Sequence, residues 1–201
     1  MASDITRRHL LATLPAGLAL ASLPGTAGAL TVGQARALVD QVVGEVNGVI
    51  NSGKSESAML RSFEAIFVRH ADVRYIAQSA LGPAGRRASK AQMSAYIKAF
   101  QGYMARKYGR RFREFIGGRI EVTDARPLKS FYEVRTVAHL RGQAPFRVDW
   151  HVFDKSGRER FFNIIIEGVN MLAAERTEIG AMLDRRGGDI GALTADLTRA
   201  G

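Results

Sequence analysis

An α+β domain is predicted, with a curved antiparallel four-stranded meander covered by amphipathic helices. Three observations carry this expectation. Apolar residues recur at helical spacing from Thr31 to about Ile116. After Gly117-Gly118 the period changes to two, and it stays there through Ile166. From Ala173 onward the helical period returns. Helices, a block of strands and helices again segregate the two kinds of structure along the chain.

The elements follow in order. Thr31-x-x-Gln34 reads as a capping box, and Leu38, Val39, Val42, Val43, Val46, Val49 and Ile50 form the stripe of a helix that Gly53 closes. A second helix spans about Ser57 to Arg69, with Met59, Leu60, Phe63, Ile66 and Phe67 inward. Asp72 caps a shorter third helix that Gly82-Pro83 stops. Residues 85–88 read as a basic loop. Ser89-x-x-Gln92 opens the longest helix, to about Ile116, with Met93, Tyr96, Ile97, Phe100, Tyr103, Met104, Tyr108, Phe112 and Phe115 on one side. Its opposite side carries Lys98, Arg106, Arg110 and Arg113.

Strands are expected at Arg119 to Ala125, Phe131 to Arg141, Phe146 to Val152 and Arg160 to Ile166. Their short links imply a meander. In the last strand, Phe162, Ile164 and Ile166 alternate with Phe161 and Ile165, so the strand is apolar on both faces and expected to be central and covered on both sides. Helices over Ala173–Arg186 and Asp189 to about Arg199 close the chain.

Two parts are expected. Residues 1–29 have the layout of a cleaved export signal: Arg7 and Arg8, an apolar run from Leu10 to Leu23 too short to span a bilayer comfortably, and a small-x-small site at Ala27-Gly28-Ala29. The adjacent arginines favour the twin-arginine route over the general one. Residues 30–201 then form a single domain. The chain has no cysteine, which excludes disulfides and thiolate chemistry. Its formal net charge of +10 points to anionic partners.

The stretch Phe162-Asn163-Ile164-Ile165-Ile166-Glu167-Gly168-Val169-Asn170 resembles the D-V-x-x-E-G-V-S strand of the periplasmic lipid-binding proteins of the maintenance-of-lipid-asymmetry (Mla) system, also called toluene-tolerance auxiliary proteins. Arg176, the Gly188-Asp189-Ile190-x-x-Leu193-x-x-x-Leu197 pattern, Leu81-Gly82 and the Ser89-x-x-Gln92 helix with Tyr108 fit the same family. Departures are Asn163 for the usual aspartate, Asn170 for serine, Ile179 for phenylalanine, and Gly85-Arg86 where a tryptophan is common. The resemblance implies a soluble periplasmic carrier with an apolar cavity between sheet and helices. Its cargo would be phospholipid, shuttled between an inner-membrane ABC transporter complex and an outer-membrane lipoprotein/porin complex. No enzyme activity, cofactor, metal or nucleic acid is implied, and a monomer is expected.

Candidate cavity residues are Tyr96, Phe100, Tyr103 and Met104 on the long helix, with Tyr132, Val134, Val148, Trp150, Ile164 and Ile166 on the sheet. Each fits ordinary core packing equally well. Arg106, Arg110 and Arg113, interleaved with Tyr108 and Phe112, fit a face that docks on membrane or partner, or simply a solvated helix face. His70, His139 and His151 lack metal-ligand spacing, and Asp149-x-His151 has no nucleophile motif beside it. The readings that compete with phospholipid are a carrier of another lipid such as a hopanoid, an enzyme on a similar cavity fold, and a basic envelope adaptor.

Overall fold

A computed structural model describes residues 30–109 and 114–201. The export signal expected at 1–29, and Arg110 and Arg113 of the basic face, lie outside the described residues. The described residues form six α-helices and a five-stranded sheet. The helices are α1 (Val32–Ile50), α2 (Glu56–His70), α3 (Val73–Leu81), α4 (Lys90–Gly109), α5 (Met171–Asp184) and α6 (Ile190–Leu197). The strands are β1 (Arg119–Pro127), β2 (Tyr132–His139), β3 (Phe146–Phe153), β4 (Arg160–Ile166) and β5 (Val169–Asn170), antiparallel and in sequence order. No described helix is long and apolar enough to cross a membrane.

Side-chain caps set most helix starts. Thr31 and Gln34 form the reciprocal capping box before α1, and Ser89 and Gln92 do the same before α4. Asp72 accepts from the Tyr75 amide, and Asp189 from the Gly191 and Ala192 amides. Asn170 caps α5 through the Ala173 amide at 3.0 Å, the role that serine or aspartate could also fill.

The sheet differs from the expected four strands. Glu167 and Gly168 both have positive φ, 48° and 83°, as a two-residue hairpin of the primed kind requires. The chain therefore reverses at once, and Val169 and Asn170 pair back on Ile166 and Ile165 as β5. That places β4 beside a two-residue edge strand, not at the centre of a sheet covered on both sides. The alternation in β4 also breaks. Val152 pairs Phe161 while His151 pairs Asn163, so Phe162 is an extra, bulged residue. The bulge turns Phe161 to the same face as Ile164 and Ile166. Phe162 packs with Phe153, Phe131 and Tyr75 at ring-centroid distances of 4.4, 5.4 and 5.4 Å.

The long helix is also shorter than its stripe predicts. It is α-helical to Gly109, and Glu114 and Phe115 already form a 3-10 turn ahead of the strand. Gly117, at φ 75°, makes the corner into β1.

Helices α1, α3 and α5 pack against the sheet, while α4 packs on α2, α3 and α6. The open edge of β1 is covered by α1. The Asn47 amide donates to the Ile120 carbonyl at 2.8 Å and accepts from the Ile120 amide at 2.9 Å. Arg36 donates to the Val122 carbonyl at 3.3 Å. Backbone groups that would otherwise invite another strand are thus occupied.

Candidate functional site

Where α1, α2, α3, α4 and α5 meet β3 and β4, an apolar pocket of about 180 Å³ opens. Residues from seven elements line it. Val42 and Val46 come from α1, and Phe63, Ile66 and Phe67 from α2. Ile76 comes from α3, and Met104, Ala105, Tyr108 and Gly109 from α4. Trp150 lies on β3, and Phe161, Phe162, Asn163, Ile164 and Ile166 on β4. Met171, Leu172 and Glu175 close it from α5.

The β4 bulge is what sets Phe161 beside Ile164 here, and Trp150 meets Phe161 edge-on at 5.2 Å. The Trp150 indole N–H donates to the Thr136 hydroxyl at 3.1 Å, and that hydroxyl donates to the Val148 carbonyl at 3.0 Å. The indole is thereby fixed with its polar edge satisfied inside the sheet. Asn163, the polar side chain on β4 beside Trp150 of β3, accepts from the Ile164 and Leu172 amides at 2.9 and 3.0 Å. It ties β4 to the start of α5.

One end of the pocket carries charge. Glu175 is 1% exposed. Its Oε1 accepts from the Tyr108 hydroxyl and from Lys107 Nζ at 2.7 Å. Lys107 also reaches Glu178 at 2.5 Å, and the Tyr103 hydroxyl donates to Glu178 at 2.8 Å. Burial works to lower the pKa of the Lys107 ammonium, but the two carboxylates outweigh it and the net shift is upward. Burial likewise works to raise the pKa of the Glu178 carboxyl, but hydrogen bonds from Lys107 and Tyr103 outweigh it and the net shift is downward. Burial, reinforced by these carboxylates, pushes the Tyr103 and Tyr108 phenols up, so both are neutral donors. This cluster bolts the last turn of α4 to α5.

Of the residues singled out from sequence, Met104, Trp150, Ile164 and Ile166 are brought together around the pocket. The other six lie elsewhere. Tyr96, Phe100 and Tyr103 are buried among the helices, with the Tyr96 hydroxyl on the Ala77 carbonyl at 3.1 Å. Val134 and Val148 are buried in the sheet, and Tyr132 donates to the Leu30 carbonyl. The aromatic stripe of α4 is wider than the pocket, so only its Met104–Tyr108 flank reaches it. Sequence reasoning missed Val42, Val46, Phe63, Ile66 and Phe67. Their inward stripes were plain, but nothing local says that two helices distant in sequence converge on β4. It missed Glu175 as well, a charged residue that reads as surface.

Arg106 donates to the Ala200 carbonyl at 2.9 Å and the Leu197 carbonyl at 2.5 Å, which ties α4 to the end of α6. No cluster of three or more metal-ligating side chains occurs among the described residues. Asp149 is held by Arg147 at 2.7 Å and by Arg135 at 3.3 Å, and His151 sits 3.8 Å from Glu133, its partner across β2 and β3.

The structure of the phospholipid-binding protein from Ralstonia solanacearum, solved in complex with a phospholipid, has the same fold. It matches with a TM-score of 0.71 at 20% identity, over 82% of this chain and 95% of that one. The sequence itself matches the model of the MlaC protein family over residues 40–199, and the chain belongs to that family.

Proposed function

We propose that the protein is a periplasmic lipid carrier whose pocket takes the acyl chains of a phospholipid. The observation that carries this reading is the pocket itself: seven elements contribute an almost wholly apolar wall. Membership of the MlaC protein family and the fold shared with a phospholipid-binding protein support it. The mechanism is enclosure and handover, with no chemical step. Each buried methylene is worth about 0.8 kcal/mol, so two acyl chains of ~30 methylenes represent ~24 kcal/mol gross. Release into water is then far too slow, and transfer needs direct docking on a donor or an acceptor. An inner-membrane ABC transporter complex and an outer-membrane complex fill those roles in this proposal. Residues 1–29 would direct export and be removed.

The pocket is small for such cargo. An engineered apolar cavity of about 150 Å³ holds one benzene, so this one fits a short length of a single chain. Loading therefore parts the helices from β3 and β4 and widens the pocket. Docking falls to the basic face of Arg106, Arg110 and Arg113, of which Arg106 also ties α4 to the end of α6 through the Leu197 and Ala200 carbonyls. Organic extraction of the purified protein followed by mass spectrometry tests the reading. Co-purifying phospholipid near one molecule per chain is expected. A lipid-free protein that takes up none from vesicles would overturn it.

A further inference from the structure

We propose that Glu175 accepts a hydrogen bond from the polar head of the cargo, so that the site selects lipids bearing an N–H or O–H donor. This rests on the lipid-carrier reading and adds which part of the lipid is recognised.

The observation is an unpartnered oxygen. Glu175 lines the pocket and is 1% exposed, and its Oε1 already holds Lys107 and Tyr108. Its Oε2 is buried and has no hydrogen-bond partner among the described residues. A desolvated carboxylate oxygen without a donor is costly, more so than a neutral group. The neighbouring wall cannot supply the donor. Met104, Ile164 and Leu172 are apolar, the Asn163 carbonyl oxygen is itself an acceptor, and the Asn163 NH2 lies 3.4 Å from His151 Nδ1.

Position points the same way. On the far side of the carboxylate, the Lys107 and Glu178 side chains are 26% and 47% exposed. Buried Glu175 thus links the pocket wall to charged groups that reach the surface, and in this proposal that is the level at which a lipid's chains join its head. Ester carbonyls and phosphate oxygens accept only and cannot satisfy Oε2. A primary ammonium or a glycerol hydroxyl can, and a quaternary choline cannot.

The test offers the full-length mature protein equimolar vesicles of phosphatidylethanolamine, phosphatidylglycerol and phosphatidylcholine with identical acyl chains, and weighs bound lipid by mass spectrometry. The donor-bearing lipids should exceed phosphatidylcholine by roughly tenfold, the scale of one hydrogen bond to a charged group. The ratio of phosphatidylethanolamine to phosphatidylglycerol tells whether the donor is ammonium or hydroxyl. Glu175→Gln should abolish the preference. Its carbonyl oxygen must face Lys107 and Tyr108, both donors, which places an NH2 where Oε2 stood. Glu175→Met, which removes the acceptor, should give the same equal uptake. Equal uptake of all three lipids by the wild type overturns the inference and leaves the carrier reading standing, as does a preference that survives both substitutions. No uptake of any lipid sinks both.

Discussion

Lys107 and Glu175 are joined at 2.7 Å across the gap between the end of α4 and the beginning of α5, and Lys107 grips Glu178 on the same helix. The sign of its pH dependence follows from two shifts. Glu178 is held below its ordinary pKa, so its contribution is full above about pH 4.5 and is lost as the pH falls through the depressed value. Lys107 is held above its ordinary pKa, so its contribution is full below about pH 10.5 and is lost only in stronger base. The contribution of this cluster to thermal stability should therefore be constant between these limits and drop in acid. Glu178→Gln should flatten the acid drop, measured as Tm against pH from 7 to 3.

Ala105 faces the pocket one turn before Gly109, whose missing side chain leaves room for Leu60 of α2. Ala105→Leu puts methyl groups into the space proposed for acyl chains. Stability should hold or rise by about 0.5–2 kcal/mol, as filling a void does. Co-purifying lipid should fall several-fold. Calorimetry and lipid extraction on the same sample check both halves.

Thr136 is fully buried between two partners, accepting from the Trp150 indole and donating to the Val148 carbonyl. Thr136→Val keeps the shape and strands the indole N–H. The expected loss is about 1–3 kcal/mol in urea unfolding, with lipid content unchanged.

Much of the fold was legible because its signals are local. Thr31-x-x-Gln34 and Ser89-x-x-Gln92 announce their helices by caps that close on themselves, and β2 and β3 keep strict alternation. The failures are places where a single residue departs from the local rule. Glu167 adopts a positive φ that glycine, asparagine or aspartate would have advertised, so β5 was hidden. Phe162 bulges out of β4, and with apolar residues at both alternating phases no pattern marks the extra residue. The pocket was partly legible on β3 and β4, where Trp150, Ile164 and Ile166 sit on consecutive inward positions. Its other half depends on where α1 and α2 come to rest, which periodicity does not encode. Glu175 follows from the same blindness: sequence tells that it is charged, and only packing tells that it is buried.

Trp150 is the chain's one tryptophan, and it stands 7% exposed in the pocket wall against Phe161. Its fluorescence is therefore an internal probe of what fills that space. Loading the protein with phospholipid brominated along the acyl chains should quench most of the emission, while the same lipid with unbrominated chains should not. Emission untouched by a brominated lipid that mass spectrometry shows to be bound would mean that the chains lie elsewhere, and the pocket would lose its role.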